Sequence, residues 1–189
     1  MNKTQGPTSV HQQSCGYEDG PWKWPGSSLL VAADFQRKDD NMINGIHHGC
    51  VIVSDMEKSL AFYRDKLGLK EVMNLKFDAD PVMMDLPGTE PKQHLVMLAA
   101  GNAHVELIHY IEPKGQRSDH APCDFPNMHI CLQVDDISAA YEKAKQAGID
   151  TFHREPVIIQ DSGTPLDGYG YVYFRGPDNE ILEFIQPAS

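Results

Sequence analysis

The feature that most restricts how this chain can fold is that one stretch of it is written twice. His48-Gly49-Cys50-Val51-Ile52-Val53-Ser54-Asp55 returns as His129-Ile130-Cys131-Leu132-Gln133-Val134-Asp135-Asp136. Each copy opens an alternating strand with histidine, carries cysteine two residues later and runs into an acidic helix start. Each copy also closes on a strand with one glutamate among apolar residues, Val105-Glu106-Leu107-Ile108 in the first and Leu182-Glu183-Phe184-Ile185 in the second. A chain built this way is expected to fold as two like modules related by a pseudo-twofold axis.

Local signals give both modules the same element order. In the first, residues 46–53 alternate as a strand should. Ser54-Asp55-Met56-Glu57 reads as a capping box with Ser54 as N-cap. Met56, Leu60, Tyr63 and Leu67 recur at helical spacing, and Gly68 is placed to end the helix. Residues 70–77 read as a strand, and residues 95–99 and 103–110 as a hairpin around Gly101-Asn102. In the second module, 129–134 is the strand and Asp135 or Asp136 the cap. Ile137, Ala140, Tyr141, Ala144 and Ala147 form the buried helix stripe, with Gly148 at its end. Residues 151–160, 169–175 and 180–185 read as three further strands. The expected organisation is an N-terminal extension over 1–43, a βαβββ module over 44–112, a polar linker over 113–127 and a second βαβββ module over 128–189.

Alternation along a strand puts His48 and Cys50 on one face, and His104, Glu106 and Ile108 on one face of the closing strand. Ile181, Glu183 and Ile185 share a face in the second copy. A carboxylate among apolar neighbours on a mid-sheet strand is costly unless its charge is compensated. One divalent cation shared by His48, Glu106, His129 and Glu183 would compensate both. Two imidazole nitrogens and two carboxylate oxygens suit zinc, nickel, cobalt, manganese or ferrous iron. Cys50 and Cys131 read as small residues lining the floor of the cleft.

Charge and composition narrow the partners. A net charge of -11, from 16 basic and 27 acidic residues, excludes the concentrated Lys and Arg that phosphate backbones require. It equally disfavours an anionic membrane surface. No apolar run is long enough to cross a bilayer, and the first residues lack a secretory signal, so a cytoplasmic location is expected. The expected partner is a small-molecule substrate, with a homodimer the expected assembly if chains associate.

The run from His48 through Ser54-Asp55-Met56-Glu57 to Gly68-Leu69, and the run Tyr173-Phe174-Arg175-Gly176-Pro177-Asp178-Asn179-Glu180-Ile181-Leu182-Glu183-Phe184, resemble the vicinal oxygen chelate superfamily. This group holds glyoxalases, methylmalonyl-CoA epimerases, extradiol dioxygenases and antibiotic-resistance proteins. The resemblance implies an α+β fold in which paired βαβββ modules curl an eight-stranded, cup-shaped mixed sheet around one metal. By motif position the family's ligands fall on His48, Glu106, His129 and Glu183. The usual Asp-Pro-Asp-Gly-Asn turn appears here as Gly176-Pro177-Asp178-Asn179-Glu180, a departure from the pattern.

The expected activity is that of a metal-dependent isomerase, epimerase or lyase that shifts a proton next to a carbonyl, with Glu106 and Glu183 as base candidates. His104 is a candidate partner of Glu106, and Tyr171, Tyr173 and Arg175 are candidates to orient a substrate oxygen. Two other readings fit the same fold. One is a ring-cleaving dioxygenase using ferrous iron, which needs three open metal positions. The other is a protein that binds a small molecule or antibiotic without catalysis.

Overall fold

The structure is a computed structural model that describes residues 45–117, 121–125 and 127–188. The expectation about the extension over 1–43 lies outside these residues. Both modules belong to one unit, Gln36–Ser189.

The first module runs β1 (His48–Ile52), α1 (Met56–Leu60), a π-helical turn (Ala61–Lys66), β2 (Lys70–Asp78), β3 (Lys92–Ala100) and β4 (Ala103–Glu112). The second runs β5 (His129–Gln133), α2 (Ile137–Gln146), β6 (Val157–Ile158), β7 (Gly170–Arg175) and β8 (Ile181–Gln186). The two four-stranded sheets have matching orders, β1-β4-β3-β2 and β5-β8-β7-β6. In each, the opening strand pairs in parallel with the closing strand and the remaining pairs are antiparallel. This is the paired βαβββ fold expected from the repeat.

One face of each sheet feeds a single core. Val51, Val105, Leu107, Val96 and Leu98 of the first sheet pack with Met56, Leu60, Phe62 and Tyr63 beneath them. The same cluster takes in Val172, Phe174, Leu182 and Phe184 of the second sheet and Ile137, Tyr141 and Ala144 of α2. Phe174 bridges the halves, with its ring 4.5 Å from Phe184 and 6.5 Å from Phe62. The alternate residues of each strand face the other way, and these carry His48, Glu106, His129 and Glu183.

Three local expectations are corrected. The N-cap of α1 is Asp55, not Ser54; its side chain accepts from the Lys58 amide at 3.0 Å, while Ser54 is taken up by Asp178 of the second module. The first helix is α-helical for five residues and then widens into a π-turn, in which the Leu67 amide donates to the Phe62 carbonyl. Widening lets the consecutive residues Phe62 and Tyr63 both turn inward, which a regular α-helix does poorly. Gly68, at φ 81°, ends the element as expected.

The third correction is to residues 151–160, which form a strand only at Val157–Ile158, plus one isolated bridge from Thr151 to Phe174. Between them the chain bends, and Pro156 has no amide to offer a ladder. The remaining strands and α2 lie within a few residues of expectation. Asp136 is the α2 N-cap, accepting from the Ala139 amide at 2.9 Å.

Candidate metal and substrate site

The ladder registers put each histidine beside its glutamate. Cys50 is directly opposite Glu106 across the β1–β4 pair, and Cys131 is opposite Glu183 across β5–β8. A histidine two residues before each cysteine therefore projects from the same face one step along. His48 Nε2 lies 3.5 Å from Glu106 Oε2, and His129 Nε2 lies 3.0 Å from Glu183 Oε2. Glu106 is 9% exposed and Glu183 6%. Each imidazole keeps an exposed edge, so each pair is a buried carboxylate screened by a half-open ring.

These separations can be compared with what one cation would demand. Two ligands with bonds of about 2.1 Å stand ~3.0 Å apart at a right angle and ~3.4 Å apart at a tetrahedral angle. Both pairs have that bite, and the set of nitrogen and carboxylate donors fits a borderline-to-hard divalent ion. Among the described residues, no three His, Cys, Asp or Glu side chains are grouped to hold a metal ion. The structure thus brings together His48 with Glu106 and His129 with Glu183, as two half-sites in matching surroundings.

The thiols register the buried negative charge. Enclosure of the Cys50 sulfur, then the charge of Glu106 and a hydrogen bond to it, push that thiol up to about 12. Cys131 is pushed up to about 12 by its own enclosure and by Glu183 in the same way. Both are therefore protonated near neutrality and can donate to the carboxylates. Thiols in this state are poor metal ligands, consistent with their reading as floor residues.

The weaker candidates divide. Tyr173 stands opposite Glu183 across β7–β8, and its ring meets His129 edge-on at 5.4 Å. Partial burial, then Glu183, raise its hydroxyl pKa, so it is a neutral hydrogen-bond donor beside the carboxylate. Tyr171 packs on Tyr173 with ring centroids 5.7 Å apart. Arg175 donates through Nη1 to the Asn179 carbonyl at 2.7 Å and lies 5.0 Å from the centre of the Phe152 ring, so it braces its own turn. His104 stacks on His47 at 5.2 Å, and its Nδ1 is 3.2 Å from the His47 carbonyl. It stands opposite His48 in the ladder, at the rim.

A small cavity of about 240 Å3 opens beside His129, lined by Met128, Phe152, Tyr173 and Ile181 among others. A larger one, about 1060 Å3, lies at the far end of β1 around Val53, His94, His109 and Asp178, and none of the four candidate ligands lines it. Of the four candidate ligands, His129 alone lines the smaller opening.

Sequence reasoning missed the contacts that dock the β7–β8 turn on α1. Asp178 accepts from the Ser54 amide at 2.8 Å and from its hydroxyl at 2.5 Å. Glu180 accepts from the Tyr63 hydroxyl at 2.6 Å and from the Asp178 amide at 2.8 Å. Lys58 donates to the Pro177 carbonyl at 2.9 Å. The only signal for this was the turn's departure from the usual pattern at Glu180.

A fold of paired βαβββ modules, with a His–Glu pair on the opening and closing strands of each, defines a vicinal-oxygen-chelate type of protein. The chain belongs to the Glyoxalase/Bleomycin resistance protein/Dioxygenase superfamily, whose family model matches residues 45–184. It is similar to a 2-epi-5-epi-valiolone epimerase of an Actinomyces species, at 27% identity over 76% of this chain and 80% of that one. It is also similar to an ethylmalonyl-CoA/methylmalonyl-CoA epimerase of Cereibacter sphaeroides, at 30% identity over 66% of this chain and 87% of the other. In fold it matches a glyoxalase family protein from Bacillus cereus with a TM-score of 0.62, at 12% identity, covering 81% of this chain and 100% of that chain. No helix among the described residues is long and apolar enough to cross a membrane.

Proposed function

We propose that this chain is a metal-dependent isomerase of the epimerase type, moving a proton on the carbon next to a carbonyl. The observation that carries the reading is the duplicated pair: a buried carboxylate within 3.5 Å of an imidazole, at the same ladder position in both modules. Similarity to two epimerases supports the reaction class.

His48, Glu106, His129 and Glu183 are the residues that would hold the cation. Bound there, it would supply Lewis acidity to a substrate oxygen and so make the neighbouring carbon acid stronger. Glu106 and Glu183 are the two proton carriers. They come from opposite modules, and with both at one cation, one carboxylate would take the proton from one face of the carbon and the other, as its acid, would return a proton to the opposite face. Inversion would follow from that arrangement; if one residue both takes and returns the proton, the result is isomerisation or exchange without inversion. The neutral thiols of Cys50 and Cys131 and the hydroxyl of Tyr173 steady the carboxylates by donating to them.

The test is metal analysis of the purified chain, followed by reconstitution with zinc, nickel, cobalt, manganese or iron and a solvent-deuterium screen. The substrates are racemisable acyl thioesters, cyclic polyhydroxy-ketones and hemithioacetals. Metal-dependent deuterium incorporation without oxygen uptake is the expected result. Oxygen consumption with catechols and iron would replace this reading with ring cleavage. Ligand binding unaffected by chelator, with no exchange, would replace it with simple binding.

A further inference from the structure

The two modules differ at one row of their ladders, on the far side of the sheet from the glutamates. In the first module Lys76 of β2 is opposite His94 of β3, which is opposite His109 of β4. Alternation along the strands turns this row to the side of Val96 and Leu107, away from Glu106. The matching row of the second module is Ile158, Gly170 and Gln186. That row is neutral and closed. A Cβ on Gly170 would come within 2.8 Å of Ile137 and 2.9 Å of Ile158, and Gln186 accepts from the Ile137 amide at 2.8 Å. The start of α2 therefore sits directly on it.

The first module leaves the same place open. The cavity of about 1060 Å3 lies there, between the start of α1, the residues after β4 and the β7–β8 turn. Lys76, His94 and His109 line it, and Lys58 and Lys114 enter from α1 and from the linker. Lys58 is engaged by the Pro177 carbonyl. Lys76 and Lys114 make no ion pair among the described residues. The lining carboxylates of Asp55, Asp178 and Glu180 accept from protein donors, which leaves Glu57 alone unengaged among the described residues. A chain with 27 acidic residues against 16 basic ones has carboxylates to spare. It nevertheless leaves two lysines unpaired beside two histidines at the mouth of a cavity.

We propose that this cavity is a second ligand site, which takes the phosphate group of a small phosphorylated metabolite. Lys76 and Lys114 meet the phosphate oxygens as charge-assisted donors. The volume suits a whole molecule of sugar-phosphate or nucleotide size and not a lone ion. The basic row faces away from Glu106, so this ligand is not the substrate of the isomerase. The site stands whether or not the isomerase reading holds.

The test follows histidine ring signals of the full, zinc-loaded chain by NMR as ribose 5-phosphate is added. Variants His94→Gln and His109→Gln assign the two signals. Saturable movement of the His94 and His109 rings is expected, with the His48 and His129 rings unmoved and with no response to ribose. Lys76→Met and Lys114→Met should each weaken binding by about tenfold, the loss of one charged donor. Lys70→Met, on the same strand as Lys76 but outside the cavity, should leave binding unchanged. Absence of saturable movement at millimolar ligand overturns the proposal, as does movement confined to His48 and His129. So does an equal loss in Lys70→Met, which would show diffuse attraction to surface charge. Binding of ribonate as tight as that of ribose 5-phosphate overturns the assignment to phosphate.

Discussion

Glu183 and His129 stand 3.0 Å apart on adjacent parallel strands, and Glu106 and His48 repeat that relationship at 3.5 Å in the other module. In each case the histidine comes from the opening strand and the glutamate from the closing strand. Neither strand alone places both groups. The parallel β1–β4 and β5–β8 pairings create the site, and these pairings depend on the helical crossover between them.

Removing the charge of one carboxylate while keeping its shape should separate binding from chemistry. Glu183→Gln is expected to weaken metal affinity by at least tenfold and to lower the deuterium-exchange rate by roughly 10²–10⁴-fold. Glu106→Gln should act similarly on metal and unequally on the two substrate enantiomers, because it serves one face. Metal titration and enantiomer-resolved exchange check this. Equal exchange of both enantiomers in both variants would count against two opposed proton carriers.

The shared core makes a second expectation. Phe174 is fully buried and touches aromatic rings from both modules. Phe174→Ala should cost about 3–5 kcal/mol, as large-to-small changes in a packed interior do. Unfolding followed by fluorescence and by circular dichroism should stay coincident, since the halves share one cluster. Two separated transitions would show that the modules unfold independently.

The duplication was legible because identical strand geometry demands like residues at like places. His48, Cys50, His129 and Cys131 could be aligned with no structure at all, and alternation assigned their faces. What the sequence hid was local and irregular. Ser54 looks like an N-cap and would be one, but Asp178 from 124 residues away competes for it and Asp55 takes the role. Residues 151–160 have strand-like composition, yet only Val157–Ile158 form a strand, with Thr151 in one isolated bridge. The exposure of Met73, Leu75 and Phe77 was hidden for a different reason: they read as ordinary strand alternation. Their openness depends on which strand is outermost.

His94 gives a pH dependence with a defined sign. It is 7% exposed, and its Nε2 lies 2.7 Å from Asn74 Oδ1, while the Asn74 amide nitrogen is turned to Glu71 at 3.1 Å. Burial first, then the charge of Lys76, hold its pKa below the ordinary 6.5, with Glu57 opposing weakly. The folded state keeps His94 neutral where the unfolded chain takes up a proton. Its contribution is therefore complete above pH 6.5 and is lost as pH falls from there through the folded value. Urea unfolding at pH 8, 6.5 and 5.5 should show this fall, and His94→Gln should make it shallower. An unchanged slope would mean that other groups govern the fall.

The turn that docks on α1 offers the sharpest structural test, because its parts depend on one another. A Cβ on Gly176 would come within 2.0 Å of Glu180 Oε1 and 2.2 Å of its carboxyl carbon. Glu180 cannot move aside without releasing the Tyr63 hydroxyl and the Asp178 amide, and Tyr63 is wholly buried. Burial first, then the Glu180 charge, raise the Tyr63 pKa, so its hydroxyl stays a donor at any pH of interest. Gly176→Ala should therefore cost about 1–3 kcal/mol, the cost of stranding a buried donor. Asp178→Ala removes two bonds to the exposed Ser54 and should cost less, about 0.5–1.5 kcal/mol. Combined with Ser54→Ala, it should cost little more than alone, since both changes break the same link. Denaturant titrations of the two single variants and the double variant measure this coupling. Additive losses would show that Asp178 stabilises the turn through its own loop and not by holding the second module's turn to the first module's helix.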